Sequence, residues 1–195
     1  MTPERELRIR TVLDKRQENV VVVLENVTDP HNISAVMRTC DAVGVQDVYV
    51  LNTRIPLHKK WGAKSSSSAA GWLTVRQYDD AAECFEAVRR QVDRIYTTHL
   101  GGDAVSLYEM ELTGRIGLVF GNEHSGVSEE IRAYADGNFV IPQVGVIKSL
   151  NISVACAVTL YEVYRQKHAA GQYDLPGLSG ERYQELLSAW SRGQL

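Results

Sequence analysis

Short apolar runs alternate with amphipathic stretches along most of the chain. Val20–Leu24 is an unbroken β-branched run, the pattern of a strand covered on both faces. Asp47–Leu51, Arg94–Thr98, Gly117–Phe120 and Asn138–Ile141 read as four further strands. Between them the spacing predicts helices over Asn32–Val43, Asp79–Val92, Ser128–Ala135 and Ser149–His168. Asn32 is placed to cap the first of these, with Gly44 as its stop, and Ser128 and Ser149 to cap the last two. Ile33, Met37, Cys40 and Val43 recur at helical spacing as a buried stripe, with Ser34, Arg38 and Asp41 on the opposite side. The first half of Ser149–His168 is apolar nearly all round and predicts a core helix. Pro3–Glu18 reads as a charged helix and Glu181–Arg192 as a final amphipathic one. Asn52–Gly71, with the run Ser65–Ser68, reads as irregular, and Gly171–Gly180 as a turn-rich linker.

Strands alternating with helices imply an α/β fold built on a mainly parallel sheet. Ligands in such sheets bind beyond the carboxyl ends of strands. That directs attention to the loops after Leu24, Thr98, Phe120 and Ile141.

Composition narrows the picture. A length of 195 residues suits one large domain with terminal extensions, and 44% apolar residues is ordinary for a soluble globular chain. The net charge of −3 excludes a broadly basic nucleic-acid binder, so any RNA surface must be local. Cys40, Cys84 and Cys156 form no paired motif and read as buried free thiols, as expected in the reducing cytoplasm. Met1–Arg10 has no apolar signal core, and no apolar run approaches the roughly 18 residues of a membrane span. The five histidines show no ligand spacing, so no metal is expected.

Three stretches carry polar residues at ligand-facing places. The first runs Glu25-Asn26-Val27-Thr28-Asp29-Pro30-His31-Asn32-Ile33-Ser34 into the Arg38 helix. The planar donor fork of Arg38 suits a phosphate, although a cap and a surface Arg–Asp pair fit equally. The second, Phe120-Gly121-Asn122-Glu123-His124-Ser125-Gly126-Val127-Ser128, is a strand–loop–helix turn whose glycines let backbone amides approach a ligand. It lacks the GxGxxG and GK[ST] signatures of dinucleotide and triphosphate sites. Glu123 and His124 fit an acid–base pair or a solvated turn. The third, Ile141-Pro142-Gln143-Val144-Gly145-Val146-Ile147-Lys148-Ser149-Leu150-Asn151, opens an apolar helix on polar residues. Its free amides can hold a ligand oxygen or be closed by a simple cap.

In this order and spacing the three stretches resemble the signature motifs of the TrmH family, within the SPOUT (SpoU, α/β-knot) methyltransferases. The resemblance extends to Tyr161–Pro176, to the Tyr183…Trp190 helix and to the charged N-terminal helix. It implies a helical extension over 1–18, a methyltransferase domain over 19–170 with a deep trefoil knot over roughly 117–167, and a second extension over 171–195. It implies an enzyme that transfers a methyl group from S-adenosyl-L-methionine to a ribose 2′-oxygen, most closely that of guanosine 18 in tRNA. Thr98, His99, Leu100, Gly121, Asn122, Glu123, Gly126, Ile141, Val146, Ser149 and Leu150 match the family's cofactor pocket. Arg38 matches its catalytic arginine, with Asn32, Glu123, Ser149 and Asn151 as polar partners. A homodimer follows, with Asn32 and Arg38 acting across the interface and Tyr161 or Tyr164 among its material. Arg8, Arg10, Arg16, Lys60, Arg165 and Lys167 are the expected RNA contacts. Each basic run also fits a solvated surface, and Glu4, Glu6 and Asp14 offer helix salt partners.

Lys148 stands where many members have Gln, His124-Ser125 departs from the usual loop, and Ser65–Gly71 lacks a fuller polar motif. These departures bear on the RNA target more than on the methyl donor. Two other readings compete: a sister enzyme for ribosomal RNA or another tRNA position, and a non-catalytic RNA-binding dimer of the same fold. Cofactor binding followed by methyl transfer to total tRNA separates them.

Overall fold

A computed structural model describes residues 2–59, 69–99, 101, 104–122, 124–147 and 149–192. Among them the elements run α1 (Pro3–Leu13), β1 (Gln17–Glu25), α2 (Pro30–Ala42), β2 (Val45–Leu51), β3 (Thr74–Tyr78), α3 (Ala81–Arg89), β4 (Arg94–Thr98), β5 (Val105–Ser106), β6 (Ile116–Phe120), α4 (Glu129–Arg132), β7 (Gly137–Val140), α5 (Ile152–Ala169) and α6 (Gly180–Ser191). The strands form one sheet in the order β3-β2-β1-β6-β4-β7-β5, and every neighbouring pair is parallel. The chain builds outward from β1 through β2 and β3, then fills the other side. The order reverses beside β1, at its seam with β6, and ligand crevices in such sheets open there, beyond the carboxyl ends.

The Val20–Leu24 run divides by parity. Val20, Val22 and Leu24 join one core with Ile33, Met37 and Cys40 of α2 and Ile152, Cys156 and Leu160 of α5. Val21 and Val23 join another with Cys84, Phe85 and Val88 of α3. A slip of one residue would exchange these two sets between faces, so side-chain volume on both sides fixes the register. Ile33, Met37, Cys40 and Val43 are all buried, as their spacing requires. The three cysteines are buried and free. Burial pushes the Cys84 thiol up to about 12 and raises Cys156 well above its ordinary value.

Two strands have no apolar run behind them. Thr74–Tyr78 is a half-buried edge strand with polar Thr74, Arg76 and Gln77, and Val105–Ser106 is too short to show a period. The first helix ends at Leu13 and not near Glu18, because Gln17 already begins β1. Asp29, not Asn32, caps α2: its side chain accepts from His31 N, and Pro30 takes the first helical position, where a missing N–H costs nothing. Ser34 turns inward and not outward with Arg38: it is buried, and its hydroxyl donates to Pro30 O (2.8 Å). Asn151, not Ser149, caps α5.

The ends of the chain pack on each other. Ile9 and Leu13 of α1 meet Leu186, Leu187 and Trp190 of α6, with Trp72 edge-on to Trp190 at 5.0 Å. Arg16 and Lys167 were expected at an RNA surface, and both are instead fully buried. Arg16 pairs with Asp41, donates to Val45 O (3.3 Å) and Trp72 O (3.4 Å), and lies 5.4 Å from the Trp190 ring centre. Lys167 Nζ donates to Thr113 O (2.9 Å), Gly114 O (2.8 Å) and Gln172 Oε1 (3.1 Å). Three acceptors match the three donors of an ammonium, so this cation joins the turn before β6 to the end of α5.

Burial moves the Lys167 amine down from 10.5 to about 8, with Glu111 opposing the shift. Between those two values the unfolded chain binds this proton more tightly than the folded one. Stability contributed by the group therefore rises with pH across that window, by at most about 1.4 kcal/mol per pH unit. Denaturant unfolding of Lys167→Met between pH 8 and 9.5 should show a less positive slope than the parent; equal slopes would contradict the assignment.

Candidate active site

A cavity of about 330 Å³ opens beyond the carboxyl ends of β6, β4 and β7, beside the start of α5. Its walls come from Thr98 and His99 after β4, Phe120 to Asn122 and His124 to Gly126 after β6, Phe139 to Ile141 and Gln143 after β7, and Ser149, Leu150, Ile152 and Ala155 at α5. Three of the four loops singled out by strand ends thus converge on one space.

The loop after β6 is shaped by its glycines. A Cβ on Gly121 would stand 2.1 Å from the Gly126 carbonyl carbon, so only glycine allows this closeness. Gly126 has φ of +66°. Asn122 and Gly126 exchange backbone bonds (3.1 and 2.9 Å), and Asn122 Oδ1 accepts from His124 N (2.9 Å) and Ser125 N (3.3 Å). Across the cavity, Asn138 Nδ2 donates to His99 O (2.9 Å) and holds the loop after β4.

Packing of α2 on α5 places Asn32 beside Asn151, whose Nδ2 donates to Asn32 Oδ1 (3.1 Å). The early and late motifs therefore meet within one chain. Because Asp29 and Asn151 supply the helix caps, Asn32 is left to bond Asn151, and Ser149 is left to line the cavity. Arg38 sits on the exposed side of α2, six residues past Asn32, and is not part of the cavity wall.

Of the residues matched by resemblance, Thr98, His99, Gly121, Asn122, Gly126, Ile141, Ser149 and Leu150 line the cavity. Val146 does not: it is 98% exposed, although its loop contributes Ile141, Gln143, Ser149 and Leu150 to the wall. Leu100, Glu123 and Lys60 lie outside the described residues. Arg8, Arg10 and Arg165 are on the surface, the last two paired with Glu6 (2.7 Å) and Glu162 (2.7 Å). Gln143, inside the Ile141 to Val146 stretch matched to the pocket, also lines the cavity, whereas sequence reasoning missed Phe120, Val140 and Phe139 as wall residues and Asn138 as a support. The first three occupy strand ends or a quoted motif, so position alone could have found them; an Asn early in a strand gives no such signal.

The SpoU rRNA Methylase family model matches residues 19–161. The chain belongs to that family. It is 42% identical over 193 residues to the tRNA (guanosine(18)-2′-O)-methyltransferase of Thermus thermophilus, covering 98% of this chain and 97% of that one. The Escherichia coli enzyme of the same description is 36% identical over 173 residues, 89% of this chain and 75% of its own. The crystal structure of the Aquifex aeolicus TrmH/SpoU tRNA modifying enzyme superposes with a TM-score of 0.90 at 36% identity, covering 98% and 97% of the two chains. In this SpoU-family chain the matched span contains the whole cavity wall.

Asn151 has two separable roles. Its Oδ1 accepts from Ser153 N (2.9 Å) as the cap, and its Nδ2 reaches Asn32. Asn151→Ala should lower the unfolding free energy by about 1 kcal/mol, whereas Asn151→Asp keeps the cap and should stay within a few tenths of the parent. Denaturant midpoints decide it; equal losses would shift the stabilising role from the cap to the Asn32 bond.

Proposed function

We propose that this chain transfers a methyl group from S-adenosylmethionine to the ribose 2′-oxygen of guanosine 18 in tRNA, acting as a homodimer whose C-terminal part is knotted. The observation that carries the reading is the meeting of distant stretches around one cavity: the loop after β6 and Ser149–Leu150 line it, and Asn151, next to the wall residues Leu150 and Ile152, bonds Asn32 from the first stretch. The relatives described as tRNA (guanosine(18)-2′-O)-methyltransferases span nearly the whole chain, extensions included.

The cavity fits the donor. At about 330 Å³ it lies at the lower end of the range typical of small-molecule sites, about 300–1,000 Å³. Phe120, Phe139, Ile141 and Leu150 offer apolar contact for a base, and Asn122, His124, Gln143 and Ser149 offer polar contact for a sugar and a charged tail. The sulfonium of the donor makes its methyl carbon electrophilic, so the protein chiefly supplies alignment. The new bond runs from the ribose 2′-oxygen to that carbon as the carbon–sulfur bond breaks, and the hydroxyl proton leaves to a base. A guanidinium is a donor-only group, so Arg38 is not the base in this reading. Its role in this reading is to grip the phosphate beside the target ribose and to steady developing alkoxide charge. Asn32 and Asn151, held by each other, and Ser149 set the sugar's approach.

The second copy has a place to bind. Val144, Val146, Ile147 and Leu150 are exposed on the loop into α5, and Val154 and Tyr161 are exposed along that helix at a spacing of seven. Exposed apolar side chains gathered on one loop and the helix it enters belong against a partner. Such a contact also explains why α5 is apolar on more than its core side. The RNA surface is drawn from Arg8, Arg10 and Arg165, with Lys60, and excludes the buried Arg16 and Lys167.

The test is mass spectrometry of nuclease-digested tRNA after incubation with the protein and S-adenosylmethionine. One added methyl at guanosine 18 is expected; methylation confined to another position or to ribosomal RNA would overturn the target. In the same assay Arg38→Ala should lower kcat/KM by about 10²–10³-fold. Full activity in Arg38→Lys would remove the bidentate role.

A further inference from the structure

The loop after β6 does not hold itself against the sheet. Asn122 Nδ2 crosses the seam between β6 and β1 to donate to Asn26 O (2.8 Å). Asn26 follows β1 directly and is 5% exposed. Among the described residues it alone, other than glycines, has a positive φ, at +50°. That left-handed backbone is costly for most L-residues and tolerable for Asn.

Every polar group of Asn26 is engaged. Its N–H donates to Leu51 O (2.7 Å) at the end of β2. Its Oδ1 accepts from Arg54 N (2.9 Å), and its Nδ2 donates to Thr53 Oγ1 (3.1 Å). The carbonyl that remains, turned by the left-handed conformation, receives Asn122. Beside it the buried Glu25 accepts from Ser128 N (2.9 Å) and so holds the far end of the same loop. One short turn thus joins the loops after β1, β2 and β6 at the seam where the strand order reverses. Asn26 is not itself in the cavity wall; Asn122, His124, Ser125 and Gly126, which it restrains, are.

We propose that Asn26 is a positioning residue for the methyl-donor cavity, its left-handed backbone aiming a carbonyl that presets the Gly121–Val127 loop before the donor arrives. The inference rests on the donor reading of that cavity. A preset loop loses little freedom on binding, so the effect falls on donor affinity and not on the chemical step. Substitutions separate the backbone from the side chain. Asn26→Gly keeps the left-handed conformation and the carbonyl while removing the side-chain bonds to Thr53 and Arg54. Asn26→Ala favours ordinary backbone and swings the carbonyl away.

The experiment is calorimetric titration of S-adenosylmethionine into the full-length protein, followed by steady-state methyl transfer. The parent should bind; absence of binding overturns the donor reading, and this proposal with it. Asn26→Ala should weaken donor binding about tenfold and raise the donor KM similarly, with kcat at saturating donor within about twofold. Asn26→Gly should restore both to within about twofold of the parent. A folded Asn26→Ala with parental affinity, in a parent that binds, overturns this proposal alone. A Gly variant as weak as the Ala variant overturns it also, because the backbone would then not carry the effect. If Asn26→Ala does not fold, Asn26→Ser also disfavours the left-handed backbone, at a milder cost, and leaves every wall residue intact. Weakened donor binding there supports the link, and unchanged binding overturns it.

Discussion

The parallel pairing of β1 with β6 sets Val20 beside Ile116 and Leu24 beside Phe120, across most of the first two thirds of the chain. Both strands are covered on two faces, so neither can shift register without exchanging its buried side chains. The loops that leave their carboxyl ends are therefore held at a fixed separation. The cavity needs that rigidity, because its wall is assembled from separate loops and not from one element. The sheet provides the frame, and hydrogen bonds such as Asn122 to Asn26 and Asn138 to His99 transmit it to the loops.

A second constraint is the packing of α2 on α5 over one face of the sheet. Those helices begin at the same end of the molecule, and each brings one polar residue into contact, Asn32 with Asn151. Neither contact residue could serve this purpose if the chain had not placed separate groups at Asp29 and Asn151 Oδ1 to close the free helix amides. Structural capping and site chemistry are thus assigned to neighbouring atoms, in the case of Asn151 to two atoms of one amide.

Much of this was legible in the residues. A continuous apolar run marked β1, Asp47–Leu51 read as β2, and spacing marked the buried stripe of α2. The three polar stretches pointed to one family and, through strand ends, to the loops that form the cavity. The illegible parts share a physical cause: they depend on partners far away in sequence. Arg16 and Lys167 look like surface cations until carbonyls from Val45, Trp72, Thr113 and Gly114 close around them. The edge strand Thr74–Tyr78 is recruited by β2 and not by its own apolar pattern. Asn26 reads as one more loop amide, because a left-handed φ leaves no mark in composition.

The strand order also dictates a timetable for a chain emerging from the ribosome. Among the described residues β5 pairs only with β7, which is made some thirty residues later, and β1 must wait for β6 before its second flank is closed. Early products can complete only the β1–β2–β3 half-sheet, with Val21 and Val23 still lacking their β6 neighbours. That edge closes only when the second half of the chain has been delivered.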